Sequence, residues 1–115
     1  MKARIFPFLA LAALAAALFL CAAAGPSRKF TGVVTDNMCP KGDHSAMQMG
    51  PTNAECVKAC VMVHGALYVL YDGKQTYTLS DQQTPEKFAG KKVAVIGTLD
   101  AKTKTIKVES MMAAR

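Results

Sequence analysis

From Phe30 onward the chain alternates between short β-like runs and polar breaks. Phe30-Thr31-Gly32-Val33-Val34-Thr35 is rich in β-branched residues and predicts a first strand. Ala66–Tyr71 and Lys74–Leu79 flank Asp72-Gly73, a pair that favours a type I′ hairpin turn. Lys92–Leu99 sets Val93, Val95 and Leu99 on one face and Ala94 and Ile96 on the other. Thr105–Ser110 turns Ile106 and Val108 inward, and Met111 and Met112 read as tail residues. One segment has helical punctuation. Thr52 is an N-cap with Glu55 three residues on, and Gly65 follows His64 as a left-handed stop, so a helix is expected over Asn53–His64. Its mostly apolar circumference implies packing against the sheet, and His64 suits its negative end. Thr84–Gly90 carries cap, Pro and Gly signals for a single helical turn.

Five strands with a helical turn between the third and fourth predict a mainly β fold, a small five-stranded OB-like barrel. Closure would remove exposed edges, and Gly32 and Gly97 would supply the bends. An open meander with one packed helix is the alternative. The helix and the loop before it would be an insertion, residues 36–64, between strands one and two. Asp36–Pro51 is polar, with no period, and a loop of that length in a small domain is usually functional or pinned.

The N-terminus changes the arithmetic of the rest. Lys2 and Arg4, an uncharged apolar stretch from Phe6 to Leu20, and Ala22-Ala23-Ala24 have the three parts of a secretory signal peptide, with cleavage expected after Ala24. Residues 1–24 are therefore read as signal and 25–115 as one periplasmic or secreted domain, with no membrane contact after cleavage. Lipidation at Cys21 is disfavoured, because Leu20 rather than a small residue precedes it. Loss of Lys2 and Arg4 lowers Lys plus Arg from 14 to 12, against 8 Asp and Glu, a modest net charge of +4. The lysines are scattered, and the few aromatics are needed in the core, so no nucleic-acid groove is expected. A monomer is expected, and no protein partner can be named.

Departure of Cys21 leaves three cysteines, an odd number for an oxidising compartment. They lie in or beside the insertion as Cys39-x4-His44-x11-Cys56-x3-Cys60. Cys56 and Cys60 project from one helix face, and Cys39 and His44 come from the loop that leads into it. Three thiolates and an imidazole form a tetrahedral zinc set. Met47 and Met49 add soft ligands should the metal be copper. A metal would also explain an ordered long loop. The competing reading is a disulfide from Cys39 to Cys56 or Cys60, which would staple loop to helix and contribute about 3 kcal/mol. It would leave one thiol over and His44 without a role. Asp36 and Asp43 flank Cys39, but loop aspartates usually form turns. There is no Cys-x-x-Cys redox motif, haem attachment site or phosphate loop, so binding is favoured over catalysis. A disulfide-stapled interaction module and a thiol redox protein stand as alternatives.

Phe30-Thr31-Gly32-Val33-Val34-Thr35-Asp36-x-x-Cys39, His44, Glu55-Cys56-Val57-Lys58-x-Cys60-Val61, Gly65-Ala66-x-Tyr68 and Ala89-Gly90-Lys91-x-Val93-x-Val95-x-Gly97-Thr98-Leu99 together resemble a group of small exported bacterial proteins of unknown function. The resemblance spans nearly all of residues 25–115. It implies an OB-like barrel and an extracytoplasmic site, and it implies no activity.

Overall fold

The computed structural model describes residues 25–115, and the export signal read over residues 1–24 lies outside them. Five strands form in chain order: β1 (Arg28–Asp36), β2 (Tyr68–Tyr71), β3 (Thr76–Leu79), β4 (Lys92–Asp100) and β5 (Thr105–Ala113). Helix α1 (Asn53–His64) stands between β1 and β2, and a 3-10 turn (Thr84–Phe88) between β3 and β4. Antiparallel pairs join β1 to β2, β1 to β4, β2 to β3 and β4 to β5. A short parallel pairing of β3 with β5 closes the ring in the order β1-β2-β3-β5-β4. That seam is reinforced by Thr78 N–H to the Lys104 carbonyl and Ser80 N–H to the Ile106 carbonyl, both at 3.0 Å. Every strand thus has two neighbours, and the open meander does not form.

Inward residues follow the period of two. Phe30 and Val34, Leu70, Tyr77 and Leu79, Val93 and Val95, and Ile106 meet in one core with Tyr68. Phe30 and Tyr77 meet edge to face at 5.7 Å. Three of the five mature-chain aromatics, Phe30, Tyr68 and Tyr77, are therefore committed to the core. Near Gly97 the register shifts. Ile96 faces Ser110 while Gly97 faces Val108, so Glu109 is the extra residue of a bulge. This inverts the side-chain parity of β5. Ile106 and Val108 point inward before the bulge, and Met111 packs on the core after it. Met111 and Met112 are accordingly strand residues paired with Val95 and Ala94, not a tail. A Cβ on Gly97 would collide with the Lys107 carbonyl, and one on Gly32 with the Tyr71 carbonyl, so both bends require glycine.

The caps of α1 form where the sequence puts them. Thr52 Oγ1 accepts from Glu55 N–H at 3.2 Å and donates to the Glu55 carboxylate at 3.1 Å. Gly65 takes φ +66°. The helix buries only a narrow stripe, Cys56, Val57 and Cys60, while Met62 and Val63 are exposed. The expected packing against the sheet is found along that stripe: Val57 enters the barrel core with Ala54 and Val61 against it, and the two thiols form a cluster of their own beside it. The hairpin also differs from expectation. Tyr71 pairs with Thr76, so four residues connect the strands, and Asp72 does not adopt positive φ. Its carboxylate instead accepts from Lys74 N–H at 2.8 Å and Gln75 N–H at 2.7 Å. At the 3-10 turn the cap is the Asp81 carboxylate, which accepts from Gln83 and Thr84 N–H, rather than Thr84. No helix among the described residues is long and apolar enough to cross a membrane.

Two outcomes follow from this packing. Leu70→Ala, which empties a fully buried position, should cost about 2–5 kcal/mol by urea titration. The backbone donors of Gln75 and Lys74 hold the Asp72 carboxyl below its ordinary range. Stability from that shift is present above the unfolded carboxyl value, about 3.9, and is lost as pH falls through the lower folded value. Melting curves of Asp72→Asn should therefore show a shallower decline below about pH 4 than those of the unsubstituted protein.

Candidate metal centre

The last residues of β1 break the inward–outward alternation. Thr31 is exposed and Val33 half-buried, yet Thr35, on the same face, is fully buried, and so is Asp36. The loop 37–50 and helix α1 cover this end of the strand. Asp36 Oδ1 accepts from Met38 N–H at 2.9 Å and Cys39 N–H at 3.1 Å, and Cys39 N–H also approaches the Asp36 carbonyl. That turn brings the Cys39 thiol back over the strand end. A second turn, with Met47 and Gln48 N–H both on the His44 carbonyl, carries His44 inward, where it is 7 % exposed. The Thr35 hydroxyl links the two. It donates to the Cys39 carbonyl at 2.8 Å and touches His44 Nε2 at 3.5 Å.

One ligand atom each from Asp36, Cys39 and His44 lie within 4.8 Å of one another, and all three residues are buried. Two atoms of this group have no partner: Asp36 Oδ2 and His44 Nδ1 are buried without a hydrogen bond. A buried carboxylate oxygen and a buried imidazole nitrogen left unpaired are each costly. Both are lone-pair donors that a cation would satisfy, so the donor set fits a metal ion, with a carboxylate, a thiol and an imidazole as zinc sites use.

Cys56 and Cys60 flank this group from the helix. Met49 N–H points at Cys56 Sγ at 3.4 Å, and Met47 and Met49 pack against the two cysteines. Burial, then the Asp36 carboxylate, then Cys56 push the Cys60 thiol up to about 11. The Cys39 thiol is raised first by burial and next by Asp36, with Cys56 and Asp43 adding to it. Loop and helix cysteines therefore sense one another's charge. All three are free, so no staple joins Cys39 to Cys56 or Cys60. An open cleft of about 960 Å³, lined by Asp43, His44, Ser45, Met49 and Cys56 among others, runs along the start of α1 and touches the group at His44.

Sequence spacing thus points to the right place, and the structure rearranges the membership. Cys39 and His44 sit together as expected. Asp36, which the sequence presents as a turn former, does form the turn with Oδ1 and keeps Oδ2 free. Its signal was the Asp-x-x-Cys spacing itself, which leaves one carboxylate oxygen beside the thiol. Asp43 spends its carboxylate on Ser45, whose hydroxyl and N–H, the latter at 3.0 Å, hold its pKa below the ordinary carboxyl value. The Met38 and Met62 side chains are exposed and add no sulfur to the site. The chain matches no protein-family model, no curated protein and no solved structure.

Because Asp36 Oδ1 serves two backbone donors, Asp36→Ala should cost about 1–3 kcal/mol in metal-free protein. Asp36→Asn, which keeps an acceptor there, should cost markedly less. Urea titration in the presence of a chelator measures both.

Proposed function

We propose that this protein is an exported, OB-like β-barrel that binds a metal ion, zinc or copper, and handles it by binding rather than turnover. The observation that carries the reading is the pair of unpartnered buried donors, Asp36 Oδ2 and His44 Nδ1, beside the free thiol of Cys39. Cys39, His44, Cys56 and Cys60 are the ligand set that spacing supplies, Asp36 joins them, and Met47 and Met49 are additional sulfur donors for copper. These donors exceed the four that a zinc site uses, so the junction holds a choice of ligands rather than a fixed cage. The strand order and the helical turn between β3 and β4 support the OB-like reading. Export follows from the N-terminal pattern and from the likeness to small exported bacterial proteins. It places the site in a compartment where free thiols persist only when a ligand protects them.

The metal would act on the fold as well. The loop 37–50 has little apolar cover of its own, and an ion joining β1, the loop and α1 would pin the loop to the elements on either side of it. Coordination by thiolates displaces protons, so uptake of the ion should acidify an unbuffered solution.

Purification of residues 25–115 from a periplasm, followed by elemental analysis and mass-based thiol counting, tests the reading. About one metal ion per chain and three alkylatable thiols after chelation and unfolding are expected. Two oxidised cysteines with no bound metal would sink it in favour of the stapled module. With ion free at 1,000 times the dissociation constant, the fold should gain about 4 kcal/mol over the chelated protein.

A further inference from the structure

The hydrogen bonds around Thr35 decide which histidine nitrogen is free. A threonine hydroxyl has one hydrogen, and Thr35 gives it to the Cys39 carbonyl at 2.8 Å. In its contact with His44 Nε2 at 3.5 Å, Thr35 Oγ1 can therefore only accept, and a hydrogen bond there places the imidazole proton on Nε2. In the neutral ring this leaves Nδ1 as a bare lone pair, and Nδ1 is the nitrogen that is buried without a partner. The same economy holds at Asp36, where Oδ1 is committed to Met38 and Cys39 N–H and Oδ2 is spare. Asp36 and His44 both belong to the cluster that also contains Cys39, in which one carboxylate oxygen, one imidazole nitrogen and the sulfur lie within 4.8 Å of one another.

We infer that the site takes a divalent cation of the zinc class through Asp36 Oδ2, Cys39 Sγ and His44 Nδ1, and that Thr35 is a positioning residue that fixes the imidazole tautomer. This rests on the metal-binding reading above and narrows it. A carboxylate is poor company for Cu(I), which favours soft sulfur donors, whereas mixed oxygen, nitrogen and sulfur donors suit a borderline divalent ion. Thr35 holds the imidazole by the nitrogen that does not ligate, the usual way a protein orients a metal-bound histidine and fixes its tautomer. It also bonds the Cys39 carbonyl, so one hydroxyl aligns two of the three ligands. Burial of Thr35 on what would otherwise be the outer face of β1 removes water as a competitor for that hydroxyl.

The test uses the 25–115 protein with Zn(II) and, separately under reducing conditions, Cu(I). Two-bond ¹H–¹⁵N spectra report the protonation of each imidazole nitrogen, and the exposed His64 is assigned with a His64→Gln variant. Metal-free protein should show His44 protonated on Nε2, and Zn(II) should shift Nδ1. Thr35→Val, close in volume, should weaken Zn(II) binding by about 10–100-fold and lose the tautomer bias, and Thr35→Ser should restore both. Asp36→Asn should also weaken Zn(II) binding while retaining the fold. A proton on Nδ1, coordination through Nε2, or unchanged Zn(II) affinity in Thr35→Val would overturn the inference. Tight Cu(I) binding without Zn(II) binding would overturn it and leave the broader metal reading standing. Binding of neither ion would remove both.

Discussion

The C-terminal end of β1 is buried on both faces, and the candidate site is a consequence of that constraint. A strand in a small barrel normally shows one face to the core and one to water. Here the outer face disappears beneath the 37–50 loop and α1, so Thr35 and Asp36 lie in an interior that water does not reach. Buried polar atoms need partners. Thr35 finds the Cys39 carbonyl and the His44 ring, and Asp36 Oδ1 finds two backbone N–H groups. Those same bonds fold the loop back, so that burial and loop shape determine one another. What they leave over, Asp36 Oδ2 and His44 Nδ1, is the deficit that an ion would fill.

Helix α1 joins the barrel along a narrow line. Val57 is the one fully buried α1 residue in the barrel core, while Cys56 and Cys60 form a separate cluster with Ala66. Gly90 lets the helix start approach the turn after the 3-10 segment, where a Cβ would press on Ala54 at 3.0 Å. From there Gly90 N–H bonds the Val34 carbonyl at 2.8 Å and the Lys91 carbonyl accepts from Val34 N–H at 3.0 Å. Strand β1 is therefore clamped one residue before Thr35. Ligand placement by a strand end held in this way is more precise than placement by loop residues alone.

Legibility in the sequence divides along physical lines. The caps of α1 were readable because Thr52, Glu55 and Gly65 act through local geometry. Strands were readable from alternation, with ends one to three residues out. The Asp72-Gly73 turn was misjudged because its stabilising group is a side-chain carboxylate that serves two N–H groups, not a pair of positive φ angles. Met111 and Met112 were misread because a bulge at Glu109 reverses the parity on which the inward positions depend, and nothing local announces a bulge whose cause lies on the facing strand at Gly97. The site was half legible. Cys39, His44, Cys56 and Cys60 are visible as spacing, but burial is a tertiary property. Only burial turns a turn-forming aspartate into a ligand donor and an ordinary strand threonine into the residue that orients the imidazole.

Charge adds a further argument about how the junction works. Asp36 and Cys39 both raise the cost of an ionised Cys60 thiol, and burial raises it more. Without a cation Cys39 and Cys60 therefore stay neutral thiols beside the Asp36 carboxylate. A divalent ion reverses the sign of the local potential and makes anionic sulfur favourable where it was not. Loop and helix would then be drawn together by the same charges that, in the ion's absence, hold Cys39 and Cys60 as thiols. The open cleft is lined by both His44 and Cys56, one donor from each side of that junction, so an ion entering it would meet the loop and the helix together.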